Sequence, residues 1–239
     1  MSSFLSHRRK AFRGGAGIKA GLVAWYDLEE ASGTRSDAHT NGLDLTENGT
    51  SIDSTTGKVG DAAEKIVINT DSLYHADDAL LDITGDMTIA GWMNFTSVSD
   101  NFAMFSKWTG SGNQRSYIVY KGSSSTVVNF IISTDGTNAT YFTLSSGSLS
   151  VDTWYFVTAK FVAGGTSTLY INNSSVDSGT APSSIHSGSS RVEMFSFNTG
   201  GVTTRQGLID SVGVWDRALD ASEITTLYNS GNGIAYADL

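Results

Sequence analysis

Met87-Thr-Ile-Ala-Gly-Trp-Met-Asn-Phe95 alternates in a way that suits an extended chain. Side chains two apart share a face of a strand. Met87, Ile89, Met93 and Phe95 therefore fall on one side, and Thr88, Trp92 and Asn94 on the other. Working outward, segments rich in Val, Ile, Phe, Tyr, Trp or Thr recur at 22–28, 102–107, 116–121, 126–132, 140–144, 154–161, 167–171, 191–197 and 207–215. Those residue types suit a pleated, half-buried surface. Between them lie loop compositions such as Thr134-Asp-Gly-Thr-Asn138 and Ala163-Gly-Gly-Thr166. Many short strands at regular spacing predict an all-β fold, a two-sheet antiparallel jelly-roll sandwich, and not alternating β/α units.

One segment breaks the pattern. Asp220-Ala-Ser-Glu-Ile-Thr-Thr-Leu-Tyr-Asn229 reads as one short C-terminal helix of about two turns. Asp220 can cap its N-terminus, and Glu223 completes a capping-box pair. Ile224, Leu227 and Tyr228 share a face. Gly231 stands just past the expected stop.

The chain has 239 residues, long enough to bury a sandwich core without covalent staples. It has no cysteine, hence no disulfide and no thiolate metal site. No apolar run approaches the roughly 20 residues needed to span a bilayer, so membrane insertion is not expected. Residues 1–17 lack the apolar stretch of a signal peptide. These features lead us to expect a bacterial or viral protein made in a cytoplasm. The N-glycosylation-type triplets at Asn48, Asn94, Asn138 and Asn173 then read as turn composition.

Charge divides the chain. Residues 1–20 carry Arg8, Arg9, Lys10, Arg13 and Lys19 and no acid, a balance of +5. The remainder, 21–239, carries 10 basic and 24 acidic residues, a balance of -14. The expected organisation is a basic, Gly-rich arm at 1–20, a sandwich domain over 21–239, and a short closing tail from 232. Three readings of the arm stand side by side. It can dock on a neighbouring protein through Phe4, Leu5 and Phe12 among Arg8, Arg9 and Arg13. It can stay disordered, or touch nucleic acid electrostatically. The apolar residues among the charges favour docking over nucleic acid. Gly15-Ala-Gly-Ile-Lys-Ala20 matches G-x-G-x-x-A, but it follows no strand, so it reads as a hinge and not a dinucleotide site.

Several stretches together resemble the laminin-G-like, pentraxin-like branch of the concanavalin-A-like lectin/glucanase superfamily. They are Leu22-Val-Ala-Trp-Tyr-Asp-Leu-Glu-Glu-Ala-Ser-Gly-Thr34, the loop 37–42, Met87-Thr-Ile-Ala-Gly-Trp92, Asp152-Thr-Trp-Tyr-Phe-Val157, and Leu169-Tyr-Ile-Asn-Asn173. The last and most specific is Gly207-Leu-Ile-Asp-Ser-Val-Gly-Val-Trp-Asp-Arg-Ala-Leu219 with the helix behind it. The ordered set covers nearly all of the body. Two departures stand out. Asn173 replaces the usual turn glycine, although Asn tolerates positive φ. Lys65 falls where the family prefers a buried aromatic, which suggests an edge strand there. The start, F-L-x-x-R-R-K-A-F-R-G-G, resembles the first residues of tailed-phage structural proteins. Together these resemblances imply a virion-surface component displaying a lectin-like domain. Its expected partners are other virion proteins, cell-surface carbohydrate and further copies of itself as a homo-oligomer. The alternatives are a free bacterial carbohydrate-binding module and, behind it, a glycoside hydrolase.

The residues argue against catalysis. A glucanase of this superfamily carries Glu-x-Asp-x-x-Glu, which sets paired carboxylates on one side of the cleft. None of Glu29, Glu30, Glu47, Glu64, Glu193 and Glu223 has an Asp two residues on. Neither G-x-S-x-G nor H-E-x-x-H occurs. Calcium is the metal expectation. Asp37-Ala-His-Thr-Asn-Gly42 can supply Asp37, Asn41 and backbone carbonyls, and the resemblance brings Asp210 near that loop for a structural Ca2+. An Asx-type turn with a hydrogen-bonded Asp210 is the plain alternative. A sugar platform needs an aromatic beside polar groups. Trp108, Tyr117 and Tyr141, each in or beside a Gly/Ser/Asn-rich stretch, are the candidates, with core packing as the competing reading.

Overall fold

A computed structural model describes residues 17–67, 69–197 and 206–239. The anchoring residues Phe4, Leu5, Arg8, Arg9, Phe12 and Arg13 lie outside the described residues. In chain order the strands are β1 (Leu22–Tyr26), β2 (Thr46–Asn48), β3 (Ile52–Thr56), β4 (Asp61–Lys65), β5 (Ser72–His75), β6 (Met87–Phe95), β7 (Phe102–Thr109), β8 (Gln114–Lys121), β9 (Val128–Ser133), β10 (Tyr141–Ser145), β11 (Tyr155–Phe161), β12 (Thr166–Ile171), β13 (Ser174–Thr180), β14 (Val192–Met194) and β15 (Gly207–Trp215). The helix α1 (Ala221–Tyr228) follows. One sheet runs β13-β12-β11-β6-β15-β4-β3, with β1 also on β15, and the other β10-β9-β8-β7-β14-β5-β2. The pairings within both are antiparallel. This is the predicted jelly-roll sandwich.

The alternation in β6 does what its sequence requires. Met87, Ile89, Met93 and Phe95 enter the main core between the sheets. Ala90 and Trp92 enter a second apolar cluster on the outer side of their sheet. Leu22, Trp25, Phe156, Trp215, Leu219, Ile224 and Leu227 complete that cluster, which α1 covers. Asp220 caps α1 by accepting from the Ser222 and Glu223 N–H groups, and Glu223 accepts from the Asp220 N–H in return. Arg217 grips the same Glu223 carboxylate with both Nη atoms, at 2.8 and 2.7 Å. The helix stops at Asn229, which turns left-handed at φ 47°, a conformation Asn tolerates better than most residues.

Two expectations need revision. Lys65 does not mark an edge, because β4 pairs with β3 on one side and β15 on the other. Its aliphatic stem is buried and its ammonium donates to the carbonyls of Asn69 (2.8 Å) and Asp71 (2.9 Å), so the charge is solvated by backbone dipoles. Residues 17–20 are a docked turn and not free arm. Trp215 Nε1 donates to Ile18 O, and Arg217 Nε to Ala20 O. The tail from 232 also docks, through Ile234, Tyr236 and Leu239 against the second cluster.

Asn173 behaves as its tolerance of positive φ allows. Asn172 and Asn173 sit at φ 50° and 65° and join β12 to β13 as a tight hairpin. A kink in β15 has the larger structural effect. The strand pairs with β4 up to Ile209, shifts register between Asp210 and Gly213, and pairs with β1 from Val212. Ser211 at φ 47° makes the break. A bulge of this kind re-aims a side chain, and here it sends the Asp210 carboxylate to the backbone of the β3–β4 loop.

Candidate functional site

The outer face of the second sheet carries the site. In β8, Tyr117 and Val119 point into the core, as do Val128, Phe130 and Ile132 in β9 and Leu144 in β10. The period of two then places Ile118, Tyr120, Ile131, Tyr141 and Thr143 on the opposite face. Ile118 pairs across to Ile131, and Ile131 to Thr143. Over this floor lies a cleft of about 140 Å³ lined by Trp108, Ile118, Tyr120, Ile131, Tyr141 and Phe197. The Trp108 and Tyr141 rings stand 5.1 Å apart at 49°, and Tyr120 and Phe197 5.7 Å apart at 65°. Tyr141 is 39% exposed and Trp108 8%.

The placement of the tryptophans separates this cleft from core. Trp25, Trp92 and Trp215 are buried in the second cluster and Trp154 packs against it. Trp108 belongs to neither apolar cluster. It sits where β7 shifts register against β8, opposite Arg115. Arg115 donates from Nη1 to Gly136 O at 3.2 Å, and its charge acts on the Tyr141 hydroxyl. Burial raises the Tyr141 hydroxyl above its ordinary pKa, and Arg115 partly offsets it. The site therefore joins aromatic faces to a guanidinium.

Two of the three expected platform residues, Trp108 and Tyr141, come together here. Tyr117 does not, and that expectation is corrected. It is fully buried, its hydroxyl donates to Leu81 O at 2.9 Å, and its ring stacks 6.4 Å from Phe105 in the main core. Burial pushes its hydroxyl pKa well up. Tyr120, Phe197, Ile118, Ile131 and Arg115 were not foreseen. The run Ser116-Tyr-Ile-Val-Tyr120 is apolar on both faces, so its alternation does not say which face is inner.

Each of the expected calcium ligands is engaged by the protein's own polar groups. Asp37 Oδ1 accepts from the Trp25 and His39 N–H groups, and its Oδ2 from the Leu43 N–H. Asn41 Nδ2 donates to Val23 O. Asp210 Oδ2 accepts from the Lys58 (2.6 Å) and Val59 (2.8 Å) N–H groups, and its Oδ1 from the Ser211 hydroxyl. Asp37 and Asp210 share no hydrogen-bond partner, and their oxygens face N–H and O–H donors, which a cation would have to displace. Among the described residues no three His, Cys, Asp or Glu side chains group to hold a metal. This donor set does not fit Ca2+, and both carboxylates act as staples for the loops they face.

Two glutamates stand in strands of the site's sheet, Glu47 in β2 at its far edge and, beside β7, Glu193 of β14. Glu193 is buried, and its Oε1 accepts from Arg191 Nε and Nη2, at 3.1 and 2.6 Å, and from Ser72. A carboxylate committed in this way cannot serve as a paired acid and base. Among the described residues no helix is long and apolar enough to cross a membrane.

The fold and cleft define a class, an antiparallel sandwich with an aromatic cleft on an outer face. The chain belongs to the concanavalin A-like lectin/glucanases superfamily, whose Laminin_G_3 family model matches residues 68–225. Among solved structures it is similar to the binding domain of Paraclostridial Mosquitocidal Protein 1, with TM-score 0.71 and 15% identity over 90% of this chain and 53% of that one. The binding domain of botulinum neurotoxin DC in complex with SialylT gives TM-score 0.66 and 13% identity, over 90% and 52% of the two chains. A structure of botulinum neurotoxin type C, a toxin described as needing two ganglioside molecules to enter cells, gives 0.67 and 12%, over 89% and 52%. At these identities the likeness is one of fold. The chain spans about half the length of these structures, at 53%, 52% and 52%. No curated protein matches the sequence.

Proposed function

We propose that the chain is a non-catalytic glycan-binding module whose ligand surface is the Trp108–Tyr141 cleft. The observation that carries this is the position of Trp108, the tryptophan outside both apolar clusters, facing a part-exposed Tyr141 across the cleft. Sugars present C–H faces that stack on rings and hydroxyls that need polar partners, and this site offers both. Its volume of about 140 Å³ is below that of pockets that engulf drug-sized ligands, so it suits a shallow contact with one or two sugar rings. The salt-bridged Glu193 and the absence of Glu-x-Asp-x-x-Glu support binding without turnover. The solved neighbours, whose names include a sialylated ligand and gangliosides, support the same class of partner.

Trp108→Ala tests the reading. It is expected to lower binding on a glycan array by about 5- to 150-fold, since base-type stacking on an aromatic ring is worth about 1–3 kcal/mol by alanine substitution. The melting temperature should fall much less than for a core tryptophan. An array silent for the wild type, or a signal unchanged in Trp108→Ala, would refute the site.

The finer reading places this module on a virion. It rests on the basic arm, with Phe4, Leu5 and Phe12 among Arg8, Arg9 and Arg13 in front of an acidic body. Because Ile18 and Ala20 dock on the domain, the informative truncation begins at Gly17. That chain should lose particle occupancy, measured by co-sedimentation, and keep its glycan signal. Full occupancy without residues 1–16 would end the anchor idea.

A further inference from the structure

We infer that the cleft selects saccharides bearing an acidic group, with Arg115 taking the anion; this rests on the glycan-binding reading above. Arg115 lies near the start of β8, directly across from Trp108 of the cleft, and its charge acts on the Tyr141 hydroxyl. A guanidinium has five N–H donors and no acceptor. The Gly136 carbonyl engages only part of that set. Among the described residues no carboxylate lies within ion-pair distance of Arg115, whereas Arg35, Arg191 and Arg217 each have one and Lys107 has two.

This is a choice of position and not of overall charge. The chain carries -9 in total, so its general field repels anions. A cation kept clear of the many available carboxylates, next to an aromatic stacking face, is complementary to one kind of sugar. That sugar offers a ring to Trp108 and an oxyanion to Arg115. A planar guanidinium binds a carboxylate or a sulfate through paired N–H···O bonds. Both anions satisfy the geometry, and the test distinguishes them.

The experiment compares the full-length protein with Arg115→Gln and Trp108→Ala on three hexasaccharide probes. These are chitohexaose, which is neutral, a hyaluronan hexasaccharide, which carries carboxylates, and a chondroitin sulfate hexasaccharide, which carries both anions. Wild type should bind at least one acidic probe about tenfold or more tighter than the neutral one at low salt. Arg115→Gln should remove that preference, bringing the acidic-to-neutral affinity ratio to about one. Preference for both acidic probes assigns the carboxylate, and for the sulfated probe alone the sulfate. Equal binding of neutral and acidic probes, unaffected by Arg115→Gln but lost in Trp108→Ala, overturns the acidic class and leaves the cleft standing. Binding indifferent to Trp108→Ala, or absent for all three probes, overturns both. A thermal melt of Arg115→Gln within about 2 °C of wild type guards against misfolding, because surface changes of this kind usually cost little.

Discussion

Asp210→Asn should make the protein more stable at pH 8 and flatten its stability between pH 4 and pH 8. Asp210 is fully buried at the kink of β15. Burial pushes its carboxyl up to about 7, against three hydrogen bonds that pull the other way and with the negative charge of Glu29 adding to the rise. The sign follows from linkage. A carboxyl raised in the folded state binds its proton more tightly there than in the unfolded chain. Its favourable contribution is fully present below the ordinary carboxylate range near 4 and is lost as pH rises through about 7. A rise from the ordinary value of 3.8 to about 7 corresponds to about 4 kcal/mol. Asparagine keeps an oxygen for the Lys58 and Val59 N–H groups, and its amide can donate to the Ser211 hydroxyl, so the loop staple survives. Chemical denaturation at pH 4.5, 6 and 8 reads the outcome. If the wild type shows no loss of stability across that range, or if Asp210→Asn is less stable than wild type at pH 8, the carboxylate is ionised in the fold and its three hydrogen bonds outweigh its burial. Asp210→Ala separates charge from stapling, since it should destabilise at every pH by leaving two loop N–H groups without an acceptor.

The same residue shows what a sequence can and cannot disclose. The stretch ending Gly-Leu-Ile-Asp210 is a strand by its alternation, and its limits, Gly207–Trp215, match the expected 207–215. Nothing in the alternation announces the break at Ser211, because the break depends on β4 and β1 both competing for one edge of β15. Long periodic strands were legible for the same reason that β6 was: each commits one face to the main core. Missed elements such as β2 and β13 are polar and exposed, Thr-Glu-Asn and Ser-Ser-Val-Asp-Ser-Gly-Thr, and become strands through pairing to a neighbour. Lys65 misled because its identity suggested solvent, while its four methylenes fill a buried slot and its ammonium finds carbonyls. The helix was read to the residue at its cap because capping chemistry is local.

The candidate site was half legible. Trp108 and Tyr141 stood out by their polar surroundings in sequence, and the fold joins them across two intervening strands. Tyr117 had similar surroundings and proved to be core. The difference is parity, since Tyr117 and Trp108 point to opposite sides of one sheet. Sequence sets the alternation within a strand. Which parity is inner is decided by which side of the sheet packs into the core, here the side on which Tyr117 stacks beside Phe105 of the neighbouring strand and donates to Leu81 O.

That allocation of aromatics to faces gives the second large effect. Trp215→Ala should cost about 3–5 kcal/mol, the range for truncating a buried large aromatic, and lower the melting temperature by about 10 °C for a chain of this size. Trp215 is fully buried and meets Trp25 edge to face at 6.0 Å. It packs over Gly213, where a Cβ would stand 2.5 Å from its ring, so that glycine exists to admit the indole. Its Nε1 holds Ile18 O at 2.7 Å. Removing the ring thus opens a cavity under α1 and releases the turn at 17–20 together. Trp215→Phe should be milder, because it refills most of the space and forfeits chiefly the hydrogen bond, worth about 1 kcal/mol. Trp108 lies on the opposite sheet, so the two tryptophans should respond oppositely. Trp215→Ala, measured well below its melting point, should retain glycan binding. Trp108→Ala should retain most of its stability and lose the ligand. If Trp215→Ala melts within about 2 °C of wild type, the second cluster is dispensable. Four of the five tryptophans could then no longer be assigned to structure, and Trp108 would no longer stand apart from them as a binding residue.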